Sequence, residues 1–258
     1  MTSNIPEKAG ETDPVLSRCV TRNVPVRWAK DSLSAFWEAA EGNVVASFAH
    51  ASSELRLLHR VDELLQRIAT NQIEPQSALV ALLLLRTHSA YRAATLIAAS
   101  GMPTDTYPLV RTILETAGYA LLIHRDPTLG SAWLSRDDGP TERKRVRNTF
   151  TVRAVKDALM QVDPSLLRVF EGLYEYCIDF GAHPNEKSLT ANMSMTEEGK
   201  TKNYKVQYLH GNTTFTAGAM KNTARAGLFA LHAFQHTMSA RFELLGLKQD
   251  MHLLKGHL

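Results

Sequence analysis

The 258-residue sequence contains only two cysteines, Cys19 and Cys177, which excludes a disulfide framework and a thiolate metal site. Long hydrophobic runs are also missing: the most apolar stretch covers residues 78–85, whereas a membrane helix needs about 20 apolar residues. The first twelve residues lack the basic and then apolar pattern of a signal peptide. We therefore expect a cytoplasmic protein with no membrane contact, in a reducing compartment.

The sequence also has little net charge and no cofactor-binding motif. The formal net charge is +3, too small to indicate a nucleic-acid-binding protein by itself. The sequence has no G-x-G-x-x-G and no Walker loop, and no nucleophile triad can be placed from spacing. We expect no cofactor, and the sequence leaves open whether the protein is an enzyme.

Helical periodicity dominates what is present. Apolar residues recur at helical spacing over most of the chain from Asp31 onwards. Two strongly apolar helices, predicted at 76–100 and 105–124, are separated by Gly101-Met102-Pro103, a combination that ends one helix and begins the next. So short a connection predicts an antiparallel pair. The predicted fold is mainly all-α, a multi-helix bundle around this central hairpin.

One segment changes period. Met193 and Met195 alternate with polar residues, as do Tyr204, Val206 and Tyr208 after an intervening Glu-Glu-Gly-Lys. This pattern predicts a small β-hairpin at about 188–211, before the last long helix. The predicted organisation is an N-terminal tail or arm over 1–27, a single helical domain over 28–246, and a C-terminal tail over 247–258.

Polar residues interrupt the two central helices. The second helix carries Arg111 and Glu115 four residues apart, and Tyr107 and Tyr119 extend the same spacing. The first helix carries four further candidates: Arg86, His88, Tyr91 and Arg92. Folding the hairpin near Met102 should bring the two groups to the same level. They form either a structural network that fixes helix register or a pocket for an anion or phosphate, with arginine donors.

Two weaker groups occur further along the chain. Asp179, His183 and Asn185 surround a predicted helix end, where His183 is either a catalytic candidate or a capping residue. His232 and His236 have the i, i+4 spacing that metal ions use, and Arg225 shares their helix face. No third ligand follows from the sequence, so His232 and His236 are only weak metal candidates.

A basic run lies in the middle of the chain and comprises Arg143, Lys144, Arg145 and Arg147. Such a run is either a solvated helix face or a surface that contacts RNA phosphates. Phe150 is the one aromatic residue nearby in the sequence.

The string Arg86-Thr-His-Ser-Ala-Tyr91-Arg92, then Arg111-x-x-x-Glu115, and later Tyr176 through His183-Pro184, resembles a bacterial helical family known as a domain of unknown function. The resemblance covers residues 75–245, and that family is distantly similar to HEPN helical bundles. Some HEPN proteins are dimeric ribonucleases of toxin or defence systems that carry Arg, four to six residues, then His. Arg225 and His232 have this spacing, which a chain with ten histidines also produces by chance.

The sequence therefore leaves two alternative functions. The first is an interaction or structural protein, with a homodimer as the expected assembly, whose polar cluster locks the central helices together. The alternative is a HEPN-like protein that binds or cleaves RNA, with His183, Arg111, Glu115 and His88 as catalytic candidates. The ligand candidates are Arg86, Arg92, Arg111, Tyr91, Tyr119 and Asn185.

Overall fold

A computed structural model describes residues 24–73, 76–182, 185–198 and 201–255. The described residues are mainly helical, with one two-stranded antiparallel sheet, as the sequence predicts. The helices are α1 (Ser32–His50), α2 (Ser52–Thr70), α3 (Ala78–Ala99), α4 (Pro103–Arg125), α5 (Thr128–Leu134), α6 (Pro140–Thr149), α7 (Val152–Val162), α8 (Pro164–Cys177), α9 (Glu186–Thr190), α10 (Thr214–Thr237), α11 (Ser239–Leu244) and α12 (Leu247–Lys255). A 3-10 turn (Ser135–Asp137) follows α5, and a π-helical turn (Ile178–Ala182) follows α8.

The chain divides into two compact units, with the boundary after Glu38. In the first unit, Asp31 caps the start of α1, since its Oδ1 accepts from the amides of Leu33 at 3.0 Å and Ser34 at 2.9 Å. The indole rings of Trp28 and Trp37 lie 6.2 Å apart within the same unit.

The second unit is built around the antiparallel pair α3 and α4, as predicted. Gly101 ends α3 with a φ of +88°, which favours glycine, and a Cβ at this position would lie 2.1 Å from the carbonyl oxygen of His210. Helix α10 packs against α2, α3 and α4, while α7 and α8 pack against α4. The largest fully buried side chains include Tyr91, Phe170, Phe229 and Phe234, which fill the space between these helices.

Strands β1 (Met193–Glu198) and β2 (Thr201–Val206) form the predicted hairpin, with Met193 opposite Val206 and Met195 opposite Tyr204. Residues 247–255, expected in a C-terminal tail, form helix α12, which buries Leu247 and Met251 completely. No helix in the described part of the chain is long and apolar enough to cross a membrane.

Candidate functional site

His88 and Arg92 lie on α3 and both bond to Asp62 of α2. His88 Nε2 lies 2.7 Å from Asp62 Oδ1, and the Arg92 guanidinium donates to both carboxylate oxygens at 2.8 and 2.9 Å. Burial raises the pKa of Asp62, but the hydrogen bonds from Arg92 and His88 outweigh it, so the pKa lies below the usual 3.8. Arg92 also donates to Gln66. The positive charge of Arg92 on α3 is therefore balanced by Asp62 on α2.

Arg111 and Glu115 form a second, separate group between α4 and α8. Arg111 Nε donates to Glu115 Oε1 at 2.8 Å, and the hydroxyl of Tyr174 donates to the same oxygen at 3.0 Å. The guanidinium carbon lies 5.3 Å from the centre of the Tyr174 ring, within the range of a cation–π contact. Burial, followed by the Glu115 carboxylate, raises the pKa of Tyr174 well above its usual value. Tyr174 is thus a neutral hydrogen-bond donor.

The two groups lie at the same level of the hairpin but on different faces. Thr87 Oγ1 lies 2.7 Å from Thr116 Oγ1, and this pair joins α3 to α4. In an antiparallel pair that contact also puts His88 level with Glu115, as predicted. However, one residue along a helix turns the side chain by about 100°, so His88 contacts α2 and Glu115 contacts α8. The single convergent Arg/Glu/His pocket expected from the sequence is therefore not formed.

The remaining candidates of this region have structural contacts. Tyr91 is fully buried and donates to the carbonyl of Leu58 at 2.9 Å, whereas Arg86 is exposed on α3. Asn185 caps α9, where its Oδ1 accepts from the amide of Ser188 at 2.8 Å. Asp179 pairs with Lys187 at 2.5 Å. His183 lies outside the described residues, so its role stays a prediction.

His232 and His236 share α10 but line different cavities. His232 lines a cavity with Arg225 and residues of α8, whereas His236 lines one with His124 and residues of α11. Among the described residues, no group of three histidine, cysteine or acidic side chains could hold a metal ion.

The basic run forms one wall of a groove between α4, α5 and α6. Pro140 occupies the first turn of α6, where its missing N–H costs nothing. Helical spacing then places Arg143 and Arg147 on one face, towards the groove. Lys144 and Arg145 are exposed but do not line it. The groove encloses about 620 Å³ and is lined by Tyr119, Trp133, Leu134, Arg136, Asp137, Arg143, Val146, Arg147 and Phe150.

Three aromatic rings form the apolar part of this groove. The Phe150 ring lies 5.2 Å from that of Tyr119 and 6.4 Å from that of Trp133. The hydroxyl of Tyr119 donates to the carbonyl of Phe150 at 3.2 Å, which fixes the orientation of Tyr119. Burial, and then the charge of Glu115, raises the pKa of Tyr119. The fold therefore fixes Tyr119 and Phe150, and the Trp133 ring packs against Phe150.

The electrostatic balance of the groove is positive. Asp137 pairs with Arg136 at 3.0 Å and with Arg143 at 3.1 Å. Arg147 forms no ion pair with any described residue. Three guanidinium groups against one carboxylate leave a net charge of +2. The sequence singled out Arg143 and Arg147 in the basic run and Tyr119 as a ligand candidate of the central helices, but it did not predict Trp133 or the approach of Trp133 and Tyr119 to the basic run.

Comparison with protein-family models, with curated proteins and with solved structures found no match for this chain.

Proposed function

We propose that this protein binds single-stranded RNA in the groove between α4, α5 and α6. The observation that carries the proposal is the arrangement of three arginines, Arg136, Arg143 and Arg147, around the rings of Trp133 and Tyr119. Proteins that bind single strands combine a positive groove for the phosphates with aromatic rings on which bases stack.

Single-stranded RNA fits the groove better than a duplex does. The bases of a duplex are stacked inside the helix and cannot reach Trp133, which is half-buried at the side of the groove. A single strand can place one base against the indole while neighbouring phosphates contact Arg143 and Arg147. A free mononucleotide has the same chemistry, but it makes fewer phosphate contacts and should bind more weakly.

The proposed activity is binding rather than cleavage. Cleavage of RNA by attack of the 2′-hydroxyl needs a general base near the bound phosphate, most often histidine. The groove lining contains no histidine, and its one carboxylate, Asp137, is paired with Arg136 and Arg143. Arg225 and His232 line a different cavity, between α8 and α10.

The proposal is tested by fluorescence anisotropy with a labelled twelve-nucleotide RNA of mixed sequence. Arg143→Ala/Arg147→Ala should weaken binding at least tenfold. The matched control is Arg153→Ala/Arg168→Ala, which removes the same charge from exposed positions outside the groove. Equal losses from both double variants would show only non-specific attraction to positive charge and would reject the groove.

The same assay distinguishes the contribution of base stacking to the affinity from that of the phosphate contacts. Trp133→Leu should cost roughly tenfold or more in affinity, since base stacking contributes about 1–3 kcal/mol, and should leave the salt dependence unchanged. With three phosphate contacts, log K should fall against log salt with a slope of about −2, and Arg147→Ala should flatten this slope. Duplex RNA of the same length should bind more weakly. Duplex binding as tight as single-strand binding, with no effect of Trp133→Leu, would contradict a stacking site.

A separate observation favours the interaction function, with a second copy of the chain as partner. Helix α3 leaves Leu82, Leu85 and Leu96 exposed by 60%, 44% and 59%. Together with Ser89 and Ala93 these residues form a stripe that is symmetric about Ser89, at steps of four and seven residues. Such spacing is self-complementary in an antiparallel helix pair, where Leu82 of one copy meets Leu96 of the other.

We infer that α3 pairs with α3 of a second copy. Light scattering after size exclusion should give a mass near 57 kDa, twice the 28.7 kDa of the chain. Leu85→Glu should give a monomer, because a charge in the seam is desolvated without a partner. The control is Leu134→Glu, which adds the same charge at a leucine that is 69% exposed outside the stripe. A wild-type mass of 28.7 kDa at high concentration would exclude the dimer.

A further inference from the structure

A second cavity, lined by both charged and apolar residues, lies between α8 and α10. It encloses about 290 Å³ and is half-open to solvent, a size that suits a small molecule rather than a polymer. Leu166, Leu228 and Phe229 form its floor, and all three are more than nine-tenths buried. The fully buried Phe170 ring packs against Phe229, with 5.6 Å between the ring centres. The floor is therefore apolar and fixed.

Arg225 supplies the main charge of this cavity. This residue is half-buried, and among the described residues it forms no ion pair with a carboxylate. Its Nη1 donates a long hydrogen bond of 3.5 Å to Asn222 Oδ1. A half-buried guanidinium beside an apolar floor binds carboxylates well, because it offers parallel donors and is weakly hydrated.

The other end of the cavity differs in charge. His232 lies seven residues further along α10, about 10 Å away along the helix axis. Asp163 and Ser165 also line that end. Asp163 Oδ1 accepts from the amides of Ser165 at 2.9 Å and Leu166 at 3.2 Å, so this carboxylate caps α8. Because Asp163 repels an anion and Arg225 attracts it, the negative charge of a ligand is expected at the Arg225 end.

We propose that this cavity binds a small organic acid, namely a carboxylate on an aromatic or branched hydrocarbon group, with the carboxylate against Arg225 and the hydrocarbon over Leu228 and Phe229. The proposal does not depend on RNA binding, since the groove between α4, α5 and α6 shares none of these residues.

The test uses phenylacetate as the probe and titration calorimetry on the full chain. Phenylacetate should bind with a dissociation constant of about 1 mM or tighter. Phenylacetamide has the same shape without the charge and should bind at least tenfold more weakly, because a charge-assisted hydrogen bond is lost. Inorganic phosphate, which lacks the hydrocarbon, should also bind at least tenfold more weakly.

Two variants locate the binding site. Arg225→Gln should weaken phenylacetate at least tenfold and leave phenylacetamide unchanged, whereas Arg168→Gln, an exposed arginine of α8 outside the cavity, should change neither. Val169→Phe fills the cavity and should weaken both ligands, with circular dichroism as the check on folding. Failure of phenylacetate to bind at 10 mM, equal binding of the amide or of phosphate, or an equal loss in Arg168→Gln would each overturn the proposal. Arg143→Ala/Arg147→Ala should bind phenylacetate like wild type whether or not RNA binding fails.

Discussion

Thr87 Oγ1 and Thr116 Oγ1 are 2.7 Å apart across the interface of α3 and α4, and each hydroxyl is also within bonding distance of a carbonyl of its own helix. Thr87 is fully buried. The pair is therefore a polar contact at one fixed level in an otherwise apolar helix interface. A sliding movement of α3 along α4 would break it, so the pair favours one register.

Removing this contact should lower the free energy of unfolding, and the effects of the two substitutions should not add up. Thr87→Val and Thr116→Val should each lower the free energy of unfolding by about 1 kcal/mol, since each deletes one partner of a largely buried hydrogen bond. The double variant should lose about as much as one single variant, because the second substitution removes a hydroxyl that has already lost its partner. Denaturant unfolding of all four proteins measures this. Strictly additive losses would show that the two hydroxyls do not interact.

This pair also explains how far the sequence could predict the polar cluster. The Gly-Met-Pro turn fixes the level at which residues of α3 and α4 meet, and this level was predicted within one residue. Rotation about each helix axis was not predictable, because both helices are apolar on most sides and pattern alone does not say which side faces which neighbour. His88 consequently bonds to Asp62 of α2, a residue that the sequence did not single out.

Breaks between helices show a similar limit. The dipeptide Gly42-Asn43 is typical of a helix break, yet α1 continues through it and ends at His50. The pattern over residues 139–161 is typical of one helix, but Thr151 begins a new helix by accepting from the amide of Ala154. A threonine cap competes with helix continuation only when packing favours the bend. The groove at α6 shows the same limit, since only the fold brings Tyr119 of α4 and Trp133 of α5 to the basic run.

The Asp62 cluster predicts a dependence of stability on pH. Asp62→Asn should lower the free energy of unfolding at pH 7 by about 1–2 kcal/mol, because a partly buried carboxylate with charged donors is lost. The pKa of Asp62 is lowered by folding, so its contribution is full above the unfolded pKa of about 4 and is lost as the pH falls through the folded pKa. The difference between wild type and Asp62→Asn should therefore shrink below pH 4.

The matched control for that experiment is Glu63→Gln on the same helix. Glu63 pairs with Arg60 at 2.7 Å, but both side chains are more than half exposed. Such pairs contribute at most about 0.5 kcal/mol, so this variant should match wild type at every pH. A difference for Asp62→Asn that stays constant from pH 7 to pH 2 would contradict the lowered pKa.

Helix α10 approaches α2 and α3 closely at Gly227. A Cβ added there would lie 2.5 Å from Tyr91 Cε2 and 2.5 Å from Val61 Cγ1, and both of those side chains are fully buried. Gly227→Ala should therefore destabilise the protein by about 1–3 kcal/mol through overpacking. Gly218→Ala, in the same helix with nothing within 4 Å of the new Cβ, should stabilise it by about 0.5–1 kcal/mol through helix propensity. Thermal unfolding should give shifts of opposite sign, and equal shifts would contradict the close approach at Gly227.

Cys177 should be chemically inert while the protein is folded. It is fully buried at the end of α8, and burial raises the pKa of its thiol to about 12, more than the nearby charge of Arg111 lowers it. Only the thiolate reacts, so the reactive fraction at pH 8 is on the order of 10⁻⁴. In a Cys19→Ser background, labelling by a disulfide reagent should be at least a thousandfold slower than for the same protein in guanidinium chloride. Complete labelling of the folded protein within minutes would show that the interface between α4 and α8 opens readily, and that Cys177 is not held as the structure places it.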